Sequence, residues 1–321
     1  MRPPGRHRLR GFSIVELMVA VTLGLVLLAG LASVFINSKQ GYRIQESSGR
    51  LQENARFAMD YLAQGIRQAD FWGGVSGTNI ADPGTLSSTT ASACASAWFY
   101  NFRIPLQGWD GGGSSPLSGC TTTAYIANSD VFVVRYADAI PGATASAYLR
   151  TLVGTSAVLS SSNTATPANA RDLNGDGALD ETDSVFTYPY TARVFFLGRF
   201  TSPGGAAVPT LYVRDLNTGM AGQPLVEGIE QMKLQYGLDT NEDDLADRYM
   251  SAADVTSASL WGAVVSVRVN LVVRGDALDG FTDTNTYPMG GGYTYTPAAA
   301  DQRLQRRLFV RDVQVRNRVK S

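Results

Sequence analysis

Residues 11–36, GFSIVELMVAVTLGLVLLAGLASVFI, are an apolar run interrupted by one carboxylate, Glu16. Leu17 to Ile36 is about 20 residues, or roughly 30 Å of helix, enough to cross the hydrocarbon core of a bilayer. Such a segment cannot be closed into a water-soluble core of its own; it needs lipid or other helices around it. An acidic side chain inside hydrocarbon costs at least roughly 2.5–3.5 kcal/mol, so Glu16 requires a compensating partner. A proteolytic cut between Gly11 and Phe12 supplies one, because the new α-ammonium lies four residues before the carboxylate. In a bundle of helices, the amine of one subunit meets the carboxylate of its neighbour and sets the axial stagger.

The flanking charge gives the segment a direction. Arg2, Arg6, Arg8 and Arg10 precede it, and no acidic residue comes before Glu16. Positive charge stays cytoplasmic, so the expectation is a single pass through the inner membrane with the following 280 or so residues in the periplasm. A secretory signal peptide fits poorly, because its cleavage site follows the apolar region, whereas here the cut precedes it. Loss of residues 1–11 removes four arginines, leaving 23 basic against 28 acidic residues and a net charge of about −5. That balance argues against a general electrostatic hold on nucleic acid. The one histidine, His7, leaves with the leader, which excludes a His-dependent triad or His metal site in the mature chain. No G-x-S-x-G elbow, phosphate loop or Cys/His cluster is present, and the reading is non-enzymatic.

Beyond the membrane the apolar period persists. Leu51, Ala55, Ala58, Leu62, Ile66 and Ala69 recur at steps of three and four, predicting one helix from Phe12 to about Asp70 whose second half packs on a sheet. Gly41 and Gly49 weaken it where it leaves lipid. Residues 73–124, rich in Gly, Ser, Thr and Ala, read as a loop region with short strands. Two-residue alternation then predicts strands at 130–136, 192–200, 209–215, 224–238 with a bend at Gly228, 262–274 and 305–317. Spacings too tight for intervening helices imply an antiparallel sheet in an α+β fold. The expected divisions are a leader (1–11), a transmembrane or filament-core helix (12–36), its amphipathic continuation (37–70) and a β-rich head (71–321).

Gly11, Phe12, Ser13, Ile14, Val15, Glu16, Leu17 and Met18 match the G-F-x-x-x-E pattern, and on it the chain resembles type IV prepilins. The resemblance implies cleavage after Gly11 by prepilin peptidase, methylation of Phe12 and an assembly role for Glu16. LQENARFAMDYLAQGIRQADFWG, ARVFFLGRF, LYVRD, PLVEGIEQMKLQYGLDTN, W-x-x-V-V-S-V-R-V and a closing V-R-N-R resemble PilW-type minor pilins. This implies a type IV pilin-like fold and a function in initiating or capping a pilus that serves twitching motility, adhesion or DNA uptake. The implied partners are other minor pilins, the major pilin, prepilin peptidase, the inner membrane and a tip adhesin. Two alternatives stay open: a J-type pseudopilin of type II secretion, and a calcium-dependent adhesion module at the tip.

Five local features remain. Cys94 and Cys120 flank a Gly/Ser-rich stretch and, in an oxidising periplasm, read as a disulfide rather than two free buried thiols. DLNGDGALDETD places Asp172, Asn174, Asp176, Asp180 and Asp183 at positions 1, 3, 5, 9 and 12 of an EF-hand-like loop. Gly177 falls at 6 and the carbonyl of Ala178 at 7, so Ca²⁺ is the expected ligand. A weaker copy, Asp239, Asn241, Asp243 and Asp247, lacks the glycine and reads as a hairpin connection. Arg303, Arg306, Arg307, Arg311, Arg316, Arg318 and Lys320 read as the solvated face of a strand rather than a DNA-contacting strip. Phe71, Trp72, Trp98, Tyr100, Trp109 and PMGGGYTYTP read as packing rather than a carbohydrate site.

Overall fold

The computed structural model describes residues 13–82, 86, 94–121, 124–139, 145–201, 205–218 and 222–318. Helix α1 (Ile14–Gln68) runs 55 residues without interruption at Gly41 or Gly49. Ser13 caps it, its hydroxyl accepting from the Val15 N–H at 3.3 Å. The expected stripe is the buried one: Leu51, Ala55, Ala58, Leu62 and Ile66 are covered, with Ser47 beginning the buried stretch. From Ile14 to Glu46 every side chain is exposed.

The strands form two main sheets. The first holds β1 (Ile80–Ala81), β2 (Leu106–Trp109), β3 (Val131–Ala137), β4 (Tyr148–Leu152), β5 (Ser156–Ser160), β6 (Val185–Thr201), β7 (Ala207–Asp215) and β8 (Gly222–Glu227). Its order is β1-β5-β4-β6-β3-β2, with β7 pairing β6 and β8 pairing β7. Only β1 and β5 pair in parallel; the other pairs are antiparallel, as expected. The second sheet holds β9 (Ile229–Leu238), β10 (Arg248–Met250), β11 (Val264–Ala277) and, after the hairpin of β12 (Tyr287–Pro288) and β13 (Thr294–Tyr295), β14 (Leu304–Gln314). Its order is β10-β9-β11-β14.

Every expected strand is present, but 224–238 divides between the two sheets. Gly228 stands between β8 and β9 at φ +83°, and a Cβ there would lie 2.9 Å from the Arg274 carbonyl. A single left-handed residue, which only glycine adopts without strain, thus passes the chain from one sheet to the other. The sequence reading missed the β4–β5 hairpin and the first part of β6. Both are short or polar on one side and lack clean alternation.

The second half of α1 packs against both sheets, burying Leu62 and Ile66 in one core with Val134, Phe195, Val269 and Leu271. All seven residues of β3 are buried, because the opposite face of the first sheet is also covered. The cover comes from the Gly/Ser-rich stretch, which contributes Trp72, Trp98, Phe99, Tyr100 and Phe102 to a second core with Val131, Val133 and Val194. At the far end of α1 the chain's last turn closes the helix. The Asn317 side-chain amide faces the carbonyls of Arg67, Gln68 and Ala69 at 3.2, 3.4 and 3.0 Å, and Arg318 pairs with Asp70 at 2.9 Å.

Candidate assembly helix, disulfide and acidic loops

Gly11 and Phe12 lie outside the described residues. Glu16 sits in the first turn of α1, where its negative charge suits the exposed N–H groups of the helix start. It is exposed, and among the described residues no basic side chain pairs with it. Around and beyond it, Leu17, Met18, Val26 and Leu27, which roughly 100° per residue places about a quarter-turn apart, are all at least 59% exposed, so the apolar surface is spread around the helix with no seam of its own to bury.

Cys94 and Cys120 are joined, with Cα atoms 5.3 Å apart. Cys120 is buried beside Leu117 and Phe99 in the second core, so the bridge pins a segment poor in regular structure onto the sheet. Trp72, Trp98 and Tyr100 are buried and Phe71 and Trp109 half-buried, as core packing requires. Tyr293 and Tyr295, from PMGGGYTYTP, pack with Tyr287, Met289 and Val272 on the outer face of the second sheet.

The two acidic loops share one hydrogen-bond scheme. In the first, Asp172 accepts from Gly175 and Gly177 N–H at 2.6 and 2.8 Å, Asn174 accepts from Asp176 N–H at 3.1 Å, and Asp176 accepts from Ala178 N–H at 2.8 Å. In the second, Asp239 accepts from Glu242 and Asp244 at 2.6 and 2.9 Å, Asn241 from Asp243 at 3.1 Å, and Asp243 from Leu245 at 2.9 Å. Positions 4 and 6 are left-handed in both, occupied by Gly175 and Gly177 in one and by Glu242 and Asp244, at φ 63° and 66°, in the other. The missing glycines therefore did not abolish the conformation. The second loop also joins β9 to β10 as a hairpin connection, as read.

The end of the first loop is tied down differently. Asp183 is buried and accepts from Leu173 N–H at 2.7 Å and Asp180 N–H at 3.3 Å. Hydrogen bonds from Thr182 hold the Asp180 carboxyl below the usual carboxylate range, and those from Thr240 do the same for Asp247. Among the described residues no three His, Cys, Asp or Glu side chains converge as a cation cage. The carboxylates in both loops are spent on the loop's own N–H groups.

The arginine reading needs correction at two positions. Arg306 is buried, its guanidinium bonded to both oxygens of Glu230 and 3.3 Å from Asp283. Arg318 is largely buried on Asp70 and on the carbonyls of Trp261 and Val264. Alternation put Arg306 on an outward face, but residues 278–303 fold over that face, and nothing local announces such a cover. Arg303, Arg307 and Arg316 are exposed and Arg311 pairs with Asp60 at 2.6 Å, while Lys320 lies outside the described residues.

Two family models match the chain, one over the start of α1 and one over the later part of the head. Residues 6–32 match the prokaryotic N-terminal methylation motif, and residues 195–317 match type IV pilus-assembly protein W. Over those residues the chain is similar to type IV pilins of the PilW family. The PilW match spans the last seven residues of β6, then β9 and β10 with the second acidic loop between them, and β14, so it covers the second sheet and its junction with α1 but not the first acidic loop. The methylation-motif match covers residues 6–32, which take in the first part of α1, and fits a membrane-anchored pilin. No curated protein and no solved structure matches the chain.

Proposed function

We propose that this PilW-type pilin is a minor subunit that helps to initiate or cap a type IV pilus after prepilin peptidase has cut at Gly11 and exposed Phe12. The observation that carries this reading is the first half of α1: fully exposed apolar side chains with one unpaired carboxylate in the first turn. In the bilayer that surface is solvated by lipid. In a fibre it packs among other α1 helices, where the ammonium of Phe12 in a neighbouring subunit, a minor or the major pilin, neutralises Glu16. The arginines of the leader orient the head toward the periplasm. Its partners there are other minor pilins and a tip adhesin. The test is Gly11→Leu in cells: mass spectrometry should find the leader retained and no pilin in sheared pili. Normally methylated Phe12 in that variant would sink the reading.

A second reading concerns Ca²⁺, and the scheme common to the two acidic loops favours it. Asp172, Asn174, Asp176, the Ala178 carbonyl, Asp180 and Asp183 would hold the ion, with the second loop as a weaker site. The cation would have to draw Asp172 and Asp183 from N–H groups they already accept from, so affinity is set by competition within the loop. The full chain in detergent should melt higher as calcium is added, by about 2.7 kcal/mol at a hundredfold excess over Kd. Magnesium should do less, and Asp172→Ala with Asp176→Ala should remove the response. A melt indifferent to calcium would reduce the loop to a turn.

A further inference from the structure

The second sheet ends on β14, and the backbone of that strand carries an open edge. Val315 donates to the Val265 carbonyl at 2.8 Å, directly across the ladder in which Ser266 faces Gln314. Antiparallel pairs alternate between bonded and non-bonded, so Val313, Arg311, Phe309 and Arg307 turn their N–H and C=O groups toward β11. Leu308, Val310, Asp312 and Gln314 turn theirs away. The parity is consistent on β11, where Arg274 N–H points to the β9 side and meets the Gly228 carbonyl at 2.8 Å. Among the described residues, no hydrogen bond reaches the outward backbone groups of 308–314.

Natural sheets blunt such an edge with proline, a bulge or charged side chains. Between Arg306 and Gln314 β14 has neither proline nor bulge, its one irregularity lying between Leu304 and Arg306, and its charges are Arg307, Arg311 and Asp312, which leave it open to a strand of complementary charge. Val310 is 54% exposed at its middle. The strand also runs alongside α1: Gln305 meets Ser48 at 3.1 Å, Arg311 meets Asp60 at 2.6 Å and Asn317 reaches Ala69 at 3.0 Å. Its open edge therefore lies along the docked half of the helix. On the helix-side face this edge shows Arg307 and Arg311, with Arg56 of α1 close by on Asp60. On the other face it shows Val310, and Arg268 neutralises Asp312 at 2.7 Å.

We propose that the open edge of β14 accepts an extended segment of a neighbouring pilus subunit as an added antiparallel or parallel strand, acidic on its helix-side face and apolar on the other. Main-chain bonds to Leu308, Val310 and Asp312 supply the attachment, and the exposed Arg307, beside the positive excess of Arg311 and Arg56 over their shared Asp60, selects the acidic face. This deepens the subunit reading by naming how a neighbour's head attaches. Because it is measured on the isolated chain, its failure would leave the role of Glu16 untouched.

The experiment uses the purified full chain in detergent micelles and a fluorescent peptide of alternating glutamate and valine, with a lysine–valine peptide as control. The glutamate peptide should bind and should slow amide exchange at Leu308, Val310 and Asp312, while the already bonded amides of Phe309 and Arg311 change little. Val310→Pro removes one outward N–H without breaking the ladder to β11, and should weaken binding about tenfold at an unchanged melting temperature. Should proline unfold the strand, Arg307→Glu serves instead and should shift the preference toward the lysine peptide. Equal binding of both peptides, no binding, or protection of the outward amides that rises with protein concentration alone would overturn the proposal. The last result would assign the edge to a second copy of this chain.

Discussion

The two halves of α1 are one helix under opposite rules. From Ile14 to Glu46 the side chains are exposed and only Arg43, paired with Asp279 at 3.2 Å, reaches the head among the described residues, whereas from Ser47 to Ile66 leucines, alanines and a methionine are sealed against two sheets. The change does not coincide with a break in the backbone. It coincides with a change in pattern, from apolar residues on every side to apolar residues every third or fourth position. The first half is thus defined by what will surround it, and the second by what already does. Substitutions in the two halves should fail in separable assays.

The largest effect is expected at Glu16. Glu16→Ala leaves a neighbour's ammonium buried without a counter-charge, a loss of about 3–5 kcal/mol. Pilin in sheared pili should fall roughly a hundredfold or more while membrane content and head melting hold steady, and an unchanged pilus fraction would contradict the pairing. Leu62→Ala should do the reverse. Leu62 is fully buried, and its truncation should cost the head about 2–5 kcal/mol in denaturant unfolding. Leu27→Ala, on a side chain 68% exposed, should leave that unfolding curve where it was. A Leu27 variant with a weakened head would erase the distinction between the halves.

The smallest effect is a pH dependence at the seam of the docked half. The hydrogen bond and charge of Arg311 hold the Asp60 carboxyl below its usual value. A carboxyl depressed in the folded state stabilises above its unfolded pKa of about 3.9, and that contribution disappears as pH falls through the lower folded value. Acid titration of the melt should lose a small increment below about pH 4 that Arg311→Gln lacks. Both side chains are exposed enough for salt to shrink the difference.

Periodicity made α1 and six strands legible, because the environment of those residues is written in their spacing. The cover made by Trp98, Phe99 and Tyr100 was not legible, since Gly/Ser-rich chain has no period and gains its place from a disulfide and a few aromatic anchors. Nor was the burial of Arg306, whose partners Glu230 and Asp283 are 76 and 23 residues away. The spacing of the acidic loops and its repeat were legible, but not that the turn survives without glycine at positions 4 and 6. Glycine at positions 4 and 6 is sufficient for the turn, and Glu242 and Asp244 hold the same conformation under four N–H bonds to Asp239.

The Asn317 cap has a consequence for timing. The carbonyls it serves belong to residues synthesised about 250 positions earlier, so the far end of the first helix stays open until Asn317 has been made. Docking at that junction is therefore tied to synthesis of the segment that carries Asn317, and a chain cut before it would leave three carbonyls without that amide where the helix meets the head. Subunits with and without Asn317 would differ there in how far the last turn of α1 is protected.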